Sequence, residues 1–223
     1  MRTVIFDLDG TLADTAADLV AAANACFRAR GAGAPLDPEA DAATALRGGR
    51  AMLRLGYERL DGQADEARID ADYPRLLAHY DEGIARQTLL YPGVEDTLAR
   101  LAADGFALGI CTNKPELLAD KLLTALGVRD RFASLIGADT LPVRKPDPEA
   151  LRVAARLAGG PGTRPLLVGD TITDRDTARA AGVPIVLVGF GPAGLDMAAL
   201  APDAMLDDFA ALPAIAHRLL GAG

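Results

Sequence analysis

The chain has 223 residues, of which 50% are hydrophobic and 24% are charged, proportions typical of a globular protein with its own core. This composition excludes disordered, collagen-like and low-complexity proteins. The formal net charge of −8 argues against broad binding to nucleic acids or anionic membranes, so neither is expected as a partner.

Short apolar runs alternate with helix-length segments and predict an α/β fold with a Rossmann-like parallel sheet, because strands buried on both faces form continuous apolar stretches. The predicted strands are residues 3–6, 106–111, 133–136, 166–168, 185–188 and 204–206. The gap between the first two strands is far longer than the dozen or so residues that a crossover needs. We therefore expect an inserted domain there.

The inserted segment, residues 15–90, contains no strand-like run and has a helical pattern. Its predicted helices are residues 16–30, 39–47, 51–60 and 64–87. Asp14, Thr15 and Asp18 are typical of an N-cap for the first of them. The sequence thus predicts an α/β core at 1–14 and 91–223, and a helical cap domain at 15–90.

The two cysteines, Cys26 and Cys111, are far apart and form no CxxC pair, which argues against a disulfide framework or a zinc ribbon. No apolar stretch approaches the roughly 18 residues of a membrane span. The first residues lack the long apolar region of a signal peptide. A cytoplasmic monomer or homodimer without a membrane partner is expected.

Pairs of acidic residues follow two of the predicted strands. Asp7 and Asp9 come after the first strand, and alternate residues of an extended chain point the same way, so both can serve one site. Asp170 and Asp174 come after the strand at 166–168. Carboxylates this close together stay charged only with a nearby cation or a shared proton. An Asp-Gly turn that caps the next helix is the alternative for the first pair.

Polar residues with affinity for anions follow two more of the predicted strands. Thr112 precedes Pro115, which suits the first position of a helix, so its hydroxyl is expected at a helix N-terminus that can bind an anion. Lys145 precedes Pro146, which disfavours helical geometry and is expected to hold the lysine extended at the lip of the site. Each residue could be an ordinary cap, but ligand sites in open α/β sheets form beyond the carboxyl ends of strands.

Lysine is scarce in this chain. The three lysines are Lys114, Lys121 and Lys145, and arginine makes up 20 of the 23 basic residues. A compact ammonium differs chemically from a guanidinium fork, so a lysine at a strand end indicates a chemical reason at Lys145. For Lys114, a chemical role and a solvated surface position both stay open.

These four segments, in this order, resemble the motifs of the haloacid dehalogenase superfamily of aspartate-nucleophile phosphotransferases. Residues 7–11 resemble the first motif, Thr112 the second, Lys145 the third, and residues 169–174 the fourth. The helical insertion resembles the family's cap domain. Three further stretches are similar to bacterial phosphoglycolate phosphatases: residues 112–115, 137–146 and 177–182.

The resemblance implies a hydrolase of small phosphorylated metabolites that works through an aspartyl-phosphate intermediate, with phosphoglycolate phosphatase as the first expectation. Asp7 would be the nucleophile, and Asp9 would protonate the leaving oxygen and then activate water. Mg²⁺ would be held by the Asp7 carboxylate, the Asp9 carbonyl and Asp170, while Asp174 would bind through water or orient the other ligands.

The resemblance also implies that Thr112, Asn113 and Lys145 contact the substrate. Arg47, beside Gly48 and Gly49, could reach a substrate carboxylate, although an ordinary solvated arginine is the alternative.

Two other functions stay open. One is a sugar-phosphate mutase, because residues 47–50 faintly resemble the cap loop of that group. The other is a non-catalytic phosphate-binding regulatory module, since a fold alone does not determine function.

Overall fold

The computed structural model describes residues 1–191 and 194–221. The chain divides into two compact units, a core unit made of Met1–Ala13 and Leu90–Gly223, and an inserted unit made of Asp14–Leu89. Each division lies one residue before the boundary expected from the sequence. No described helix combines the length and the apolar character that crossing a bilayer requires.

The described strands, in chain order, are β1 (Arg2–Phe6), β2 (Ala13–Asp14), β3 (Leu89–Leu90), β4 (Phe106–Cys111), β5 (Ser134–Ile136), β6 (Arg164–Gly169), β7 (Ile185–Val188) and β8 (Ala204–Leu206). Six of them form one parallel sheet with the order β5-β4-β1-β6-β7-β8, whereas β2 and β3 form a separate two-stranded sheet. The predicted α/β fold with a parallel sheet is confirmed.

Strand β1 lies at the centre of the large sheet, between β4 and β6. Ile5 pairs with Gly109 on one side and with Leu167 on the other. Val4, Ile5 and Phe6 are fully buried, which is why this strand is a continuous apolar run in the sequence. Burial on both faces of the sheet stabilises the region that carries the strand ends.

The chain changes direction across the sheet at β1. Strands β4 and β5 are added on one side of it, and β6, β7 and β8 on the other. Open α/β sheets bind ligands beyond the carboxyl ends of the strands at such a switch point. Asp7, Thr112 and Asp170 directly follow β1, β4 and β6, three neighbouring strands.

The described α-helices, in chain order, are α1 (Ala16–Ala29), α2 (Ala42–Ala45), α3 (Gly49–Asp61), α4 (Glu66–Glu82), α5 (Val94–Ala103), α6 (Glu116–Ala125), α7 (Pro148–Gly159), α8 (Ile172–Ala181) and α9 (Leu212–Leu220). Helices α1 to α4 belong to the inserted unit and α5 to α9 to the core unit. Three 3₁₀ segments complete the helical structure described for the core unit: Arg129–Arg131, Gly194–Leu200 and Phe209–Ala211.

The inserted unit packs α1, α3 and α4 around buried aromatic side chains. The rings of Phe27 and Tyr57 meet edge to face with their centroids 5.3 Å apart. Gly56 allows this contact, because a Cβ there would lie 2.2 Å from the Phe27 ring. The result is a helical core that contains no strand among its described residues apart from the boundary residues of β2 and β3.

A buried carboxylate, Asp72 of α4, links three parts of the inserted unit. Its oxygens accept hydrogen bonds from Arg30, Arg75 and the Tyr57 hydroxyl. Burial opposes ionisation, but these three donors together hold the pKa of Asp72 below its ordinary value. Asp72 is therefore a charged and fully partnered structural group.

Three details of the insertion differ from the sequence prediction. The second helix covers only Ala42–Ala45, and the fourth ends at Glu82. Beyond it, the main-chain N–H groups of Gln87 and Thr88 donate to Asp18 at 3.0–3.1 Å, so these residues leave the helical path. Of the residues expected at the N-cap, Asp14 contacts the helix start, because its Oδ1 accepts the Ala16 N–H at 3.4 Å. The Thr15 side chain makes no capping hydrogen bond, and Asp18 accepts hydrogen bonds from Gln87 and Thr88 instead.

Candidate active site

The ends of β1 and its neighbours bring their polar side chains together. The main chain continues the sheet pairing one residue past β1 and β4, with Asp7 N–H donating to Val168 (2.9 Å) and Thr112 N–H donating to Ile136 (2.9 Å). These bonds set the direction in which the first polar residue leaves each strand. Parallel pairing therefore determines the position of the site.

Asp7 is buried at the end of β1. One carboxylate oxygen lies 2.8 Å from Lys145 Nζ, and the other accepts the Leu8 N–H at 2.7 Å. Burial raises the pKa of Asp7 to about 6; the Lys145 ammonium opposes this shift and the charge of Asp174 adds to it. A carboxylate held by two donors in a buried position is oriented for reaction at one end of the sheet.

Lys145 places its ammonium between two carboxylates, 2.8 Å from Asp7 Oδ2 and 2.6 Å from Asp174 Oδ1. Its side chain is only 2% exposed, so the expected position at the lip of the site is wrong and the residue lies inside it. Burial disfavours the ammonium, yet the charges of Asp174 and Asp7 raise the pKa of Lys145 above its ordinary value. The lysine is a fixed positive charge.

Asp170 and Asp174 are held by the start of α8. Asp170 Oδ1 accepts the Thr11 hydroxyl at 2.8 Å. Asp174 forms a capping box with Thr171, and its Oδ2 also accepts the N–H of Asp170 at 3.3 Å. Gly169 allows this packing, because a Cβ at that position would lie 2.4 Å from Asp174 Cγ. Asp174 thus uses one oxygen on the helix start and the other on Lys145.

The three buried carboxylates of Asp7, Asp170 and Asp174 each offer an oxygen within 4.8 Å of the others. Burial, followed by the charges of Asp174 and Asp7, raises the pKa of Asp170 well above its ordinary value. Because the cluster has more negative charge than Lys145 neutralises, its chemistry fits a hard divalent cation with oxygen ligands. This donor set can hold a metal ion such as Mg²⁺.

Asp9 is partly exposed and pairs with Lys114. The Lys114 ammonium lies 2.9 and 3.1 Å from the two Asp9 carboxylate oxygens. Lys114 is buried, so the solvated-surface alternative for this residue is wrong. Gly10 then turns the chain with φ = 77°, a left-handed conformation that glycine adopts without strain.

Thr112 and Asn113 occupy the loop between β4 and α6. Thr112 is buried, and its hydroxyl accepts the Lys114 N–H at 3.2 Å. Asn113 is exposed, and its side-chain N–H donates to the Lys145 carbonyl at 3.0 Å. The loop therefore connects two predicted site residues by hydrogen bonds of its own.

Arg47 belongs to the inserted unit, where it is exposed after α2. Its neighbour Arg50 pairs with Asp70 and, at 3.6 Å, with Glu66. The role of Arg47 toward a substrate stays a prediction.

The sequence prediction omits Thr11, although this residue belongs to the first motif and its hydroxyl donates to Asp170. The role of Lys114 stays open in that prediction, although its place next to Thr112 and Asn113 in a lysine-poor chain is a signal for the site.

Comparisons with known proteins agree on one family. The family model of the haloacid dehalogenase-like hydrolases matches residues 1–182. A phosphoglycolate phosphatase from Agrobacterium fabrum is 40% identical over 220 residues, covering 98% of this chain and 94% of the relative. A second, from Rhodospirillum rubrum, is 41% identical over 216 residues, covering 95% and 89%.

Among solved structures, that of a predicted phosphoglycolate phosphatase from Haemophilus somnus superimposes with a TM-score of 0.84 at 27% identity, covering 96% of this chain and 97% of the other. The strand-end cluster, the sheet order and these matches lead to one assignment. The chain belongs to the haloacid dehalogenase-like hydrolases.

Proposed function

We propose that this chain is a Mg²⁺-dependent phosphomonoester hydrolase that releases phosphate from a small phosphorylated metabolite, with 2-phosphoglycolate as the first candidate. The observation that carries the proposal is the buried Asp7 carboxylate, oriented by Lys145 beside Asp170 and Asp174. The relatives named phosphoglycolate phosphatase, about 40% identical over nearly the whole chain, support the choice of substrate.

Asp7 is proposed as the nucleophile. Its carboxylate oxygen forms a bond to phosphorus while the bond between phosphorus and the ester oxygen breaks, which yields an aspartyl-phosphate and the free alcohol. Positioning and neutralisation of charge supply most of the rate in phosphoryl transfer, and Lys145 contributes to both. Its ammonium, held by Asp7 and Asp174, is placed to neutralise phosphoryl oxygens.

Asp9 is proposed as the acid and then the base. In the first step its carboxyl gives a proton to the leaving oxygen; in the second it takes a proton from the water that attacks phosphorus and frees Asp7. The two-residue spacing from Asp7 along an extended chain supports a shared site for both groups.

The carboxylates of Asp7 and Asp170, with the main-chain carbonyl of Asp9, would hold Mg²⁺. Bound there, the ion supplies positive charge that stabilises the phosphoryl oxygens during transfer. Asp174 would act indirectly, since its Oδ2 accepts from three donors at the start of α8 and its Oδ1 accepts from the Lys145 ammonium. Its proposed role is to orient Lys145 and the start of α8.

Thr112, Asn113 and Lys145 are proposed to contact the phosphate of the substrate, and Arg47 a carboxylate elsewhere on it. The Thr112 hydroxyl already accepts the Lys114 N–H, so its own proton is available to a phosphoryl oxygen. Asn113 donates one N–H of its amide to the Lys145 carbonyl, and the second N–H of that amide is available to a phosphoryl oxygen.

The test is phosphate release from 2-phosphoglycolate, p-nitrophenyl phosphate and a set of sugar phosphates, each with Mg²⁺ and with EDTA. We expect release that requires Mg²⁺ and the highest kcat/KM for 2-phosphoglycolate. A higher kcat/KM for another ester would reject 2-phosphoglycolate as the substrate but would still agree with the proposed hydrolase activity.

The same assay distinguishes the alternatives. A mutase would interconvert sugar phosphates in the presence of a bisphosphate activator with little net release of phosphate. A regulatory module would bind phosphate without turning over any ester. Either outcome would contradict the proposed hydrolysis.

A further inference from the structure

The ion pair between Lys114 and Asp9 lies outside the carboxylate cluster. Lys114 Nζ is 2.9 Å from one Asp9 oxygen and 3.1 Å from the other. The lysine side chain is 3% exposed and that of Asp9 is 18% exposed. The lysine therefore contacts the carboxylate from the protein interior, while the partly exposed aspartate keeps access to solvent.

Lys114 is anchored by its own main chain as well. Its N–H donates to the Thr112 hydroxyl at 3.2 Å, and its carbonyl accepts the Ala138 N–H at 2.9 Å. Removing an ammonium from water is unfavourable unless the charge is paired, so a buried lysine in this position needs a compensating partner. Asp9, 105 residues away in the chain, provides a negatively charged partner.

The contact with Asp9 is made by one compact ammonium that lies close to both carboxylate oxygens, whereas a guanidinium binds a carboxylate through a planar fork of fixed geometry. Arginine makes up 20 of the 23 basic residues, so lysine at this position departs from the usage of the whole chain. Composition therefore singles out the lysine at this position, and the contact identifies the carboxylate with which its ammonium pairs.

We propose that Lys114 is a positioning residue for the proton-transfer steps, because it holds the Asp9 carboxyl in one orientation. This inference rests on the proposed phosphatase function. The ammonium contacts both Asp9 oxygens and therefore fixes the plane of the carboxyl group that is proposed to exchange protons with the leaving oxygen and then with water.

The decisive experiment compares two esters in Lys114→Met. General acid catalysis matters for 2-phosphoglycolate, whose alkoxide is a poor leaving group, and little for p-nitrophenyl phosphate, whose phenolate leaves without a proton. Since kcat/KM reports the steps through departure of the alcohol, we expect it to fall about 100-fold for 2-phosphoglycolate and less than about 5-fold for p-nitrophenyl phosphate. Equal losses for both esters would overturn the inference.

Two further variants complete the comparison. Lys121→Met removes the exposed lysine of α6 and should leave both kcat/KM values unchanged. Lys114→Arg keeps the charge but changes its geometry, so we expect an intermediate loss with the same preference for the activated ester. Circular dichroism and thermal unfolding of each variant verify that the fold is retained.

A double-mutant cycle with Asp9→Asn keeps the inference testable even if Lys114→Met is less stable. If Lys114 acts through Asp9, adding Lys114→Met to Asp9→Asn lowers kcat/KM for 2-phosphoglycolate by no more than about 2-fold. If the loss of kcat/KM in the double variant instead equals the product of the losses in the two single variants, the inference is overturned. Failure of the proposed function is visible separately, since the wild type would then release no phosphate from either ester, and both claims would be rejected.

Discussion

The core unit and the inserted unit both bury aspartates, but they neutralise them differently. In the core unit, Asp7, Asp170 and Asp174 lie together, and the Lys145 ammonium contacts only two of them. The pKa values of Asp7 and Asp170 are raised, with burial as the largest cause. This cluster holds negative charge that the surrounding groups neutralise incompletely.

In the inserted unit, Asp72 is buried alone and accepts hydrogen bonds from Arg30, Arg75 and Tyr57. Its pKa is lowered, because these donors together outweigh burial. A carboxylate that maintains a fold is neutralised by its own chain, whereas carboxylates suited to a cation are left short of positive charge. The direction of the pKa shift separates the two kinds of site.

The largest effect is expected from the core cluster. Asp7→Asn preserves the size of the side chain but removes the proposed nucleophile, so kcat should fall by at least about 10⁴-fold while the fold is retained. Phosphate release and circular dichroism measure the two properties. The matched control is Asp130→Asn at an exposed position, which should turn over at the wild-type rate. Turnover by Asp7→Asn close to the wild type would remove Asp7 from the mechanism.

Substitutions in the inserted unit should change the stability of the protein. Asp72→Asn weakens the hydrogen bonds from two arginines and Tyr57, so the free energy of unfolding should fall by about 2–3 kcal/mol in urea titrations. Asp70→Asn, which breaks an exposed pair with Arg50, should cost less than about 1 kcal/mol. An equal loss of the free energy of unfolding in the two variants would show that the buried hydrogen bonds of Asp72 stabilise the protein no more than an exposed ion pair does.

A substitution in the carboxylate cluster of the core unit should change the free energy of unfolding in the opposite direction. Asp170→Asn removes one of three repelling charges and keeps an oxygen for the Thr11 hydroxyl. In EDTA, the free energy of unfolding of this variant should exceed that of the wild type by about 1 kcal/mol, and Mg²⁺ should stabilise the wild type but not the variant. Thermal unfolding with and without Mg²⁺ tests both statements. A less stable variant with an unchanged response to Mg²⁺ would contradict the charge imbalance.

The smallest effect on stability is expected when the pH is lowered. Asp41, with its pKa lowered chiefly by Arg59, and Asp72 bind fewer protons folded than unfolded. Unfolding therefore takes up protons, and the stability these groups contribute is present above the unfolded pKa of about 3.9 and is lost as the pH falls below it. The difference in stability between wild type and Asp72→Asn should narrow as the pH is lowered from about 6 to about 3. A constant difference would argue against the lowered pKa of Asp72.

The sheet was predictable because its strands are buried on both faces. Residues 185–188 and 106–111 are apolar runs, and the structure has strands with those same bounds. Strand β6 begins earlier than predicted, at Arg164, because the first residues of that strand pair through the main chain without needing apolar side chains. Long-range pairing of this kind leaves no local pattern.

The deviations in the helices and the site have the same origin. Helical propensity continues past Glu82, but Gln87 and Thr88 donate to Asp18, about 70 residues earlier in the chain. The burial of Lys114 depends in the same way on Asp9, which only the parallel pairing of β1 with β4 brings near. Motifs revealed which residues meet, whereas the partner of each side chain required the fold.

The scarcity of lysine has a practical consequence for labelling. Lys114 and Lys145 have side chains only 3% and 2% exposed, whereas Lys121 is exposed on α6. An amine-reactive dye applied to the folded protein should therefore attach to Lys121 and the terminal amine and spare the other two positions. A fluorophore can be attached to these two amines without any substitution. Later modification of Lys114 or Lys145 would then report local opening that exposes these buried lysines to solvent.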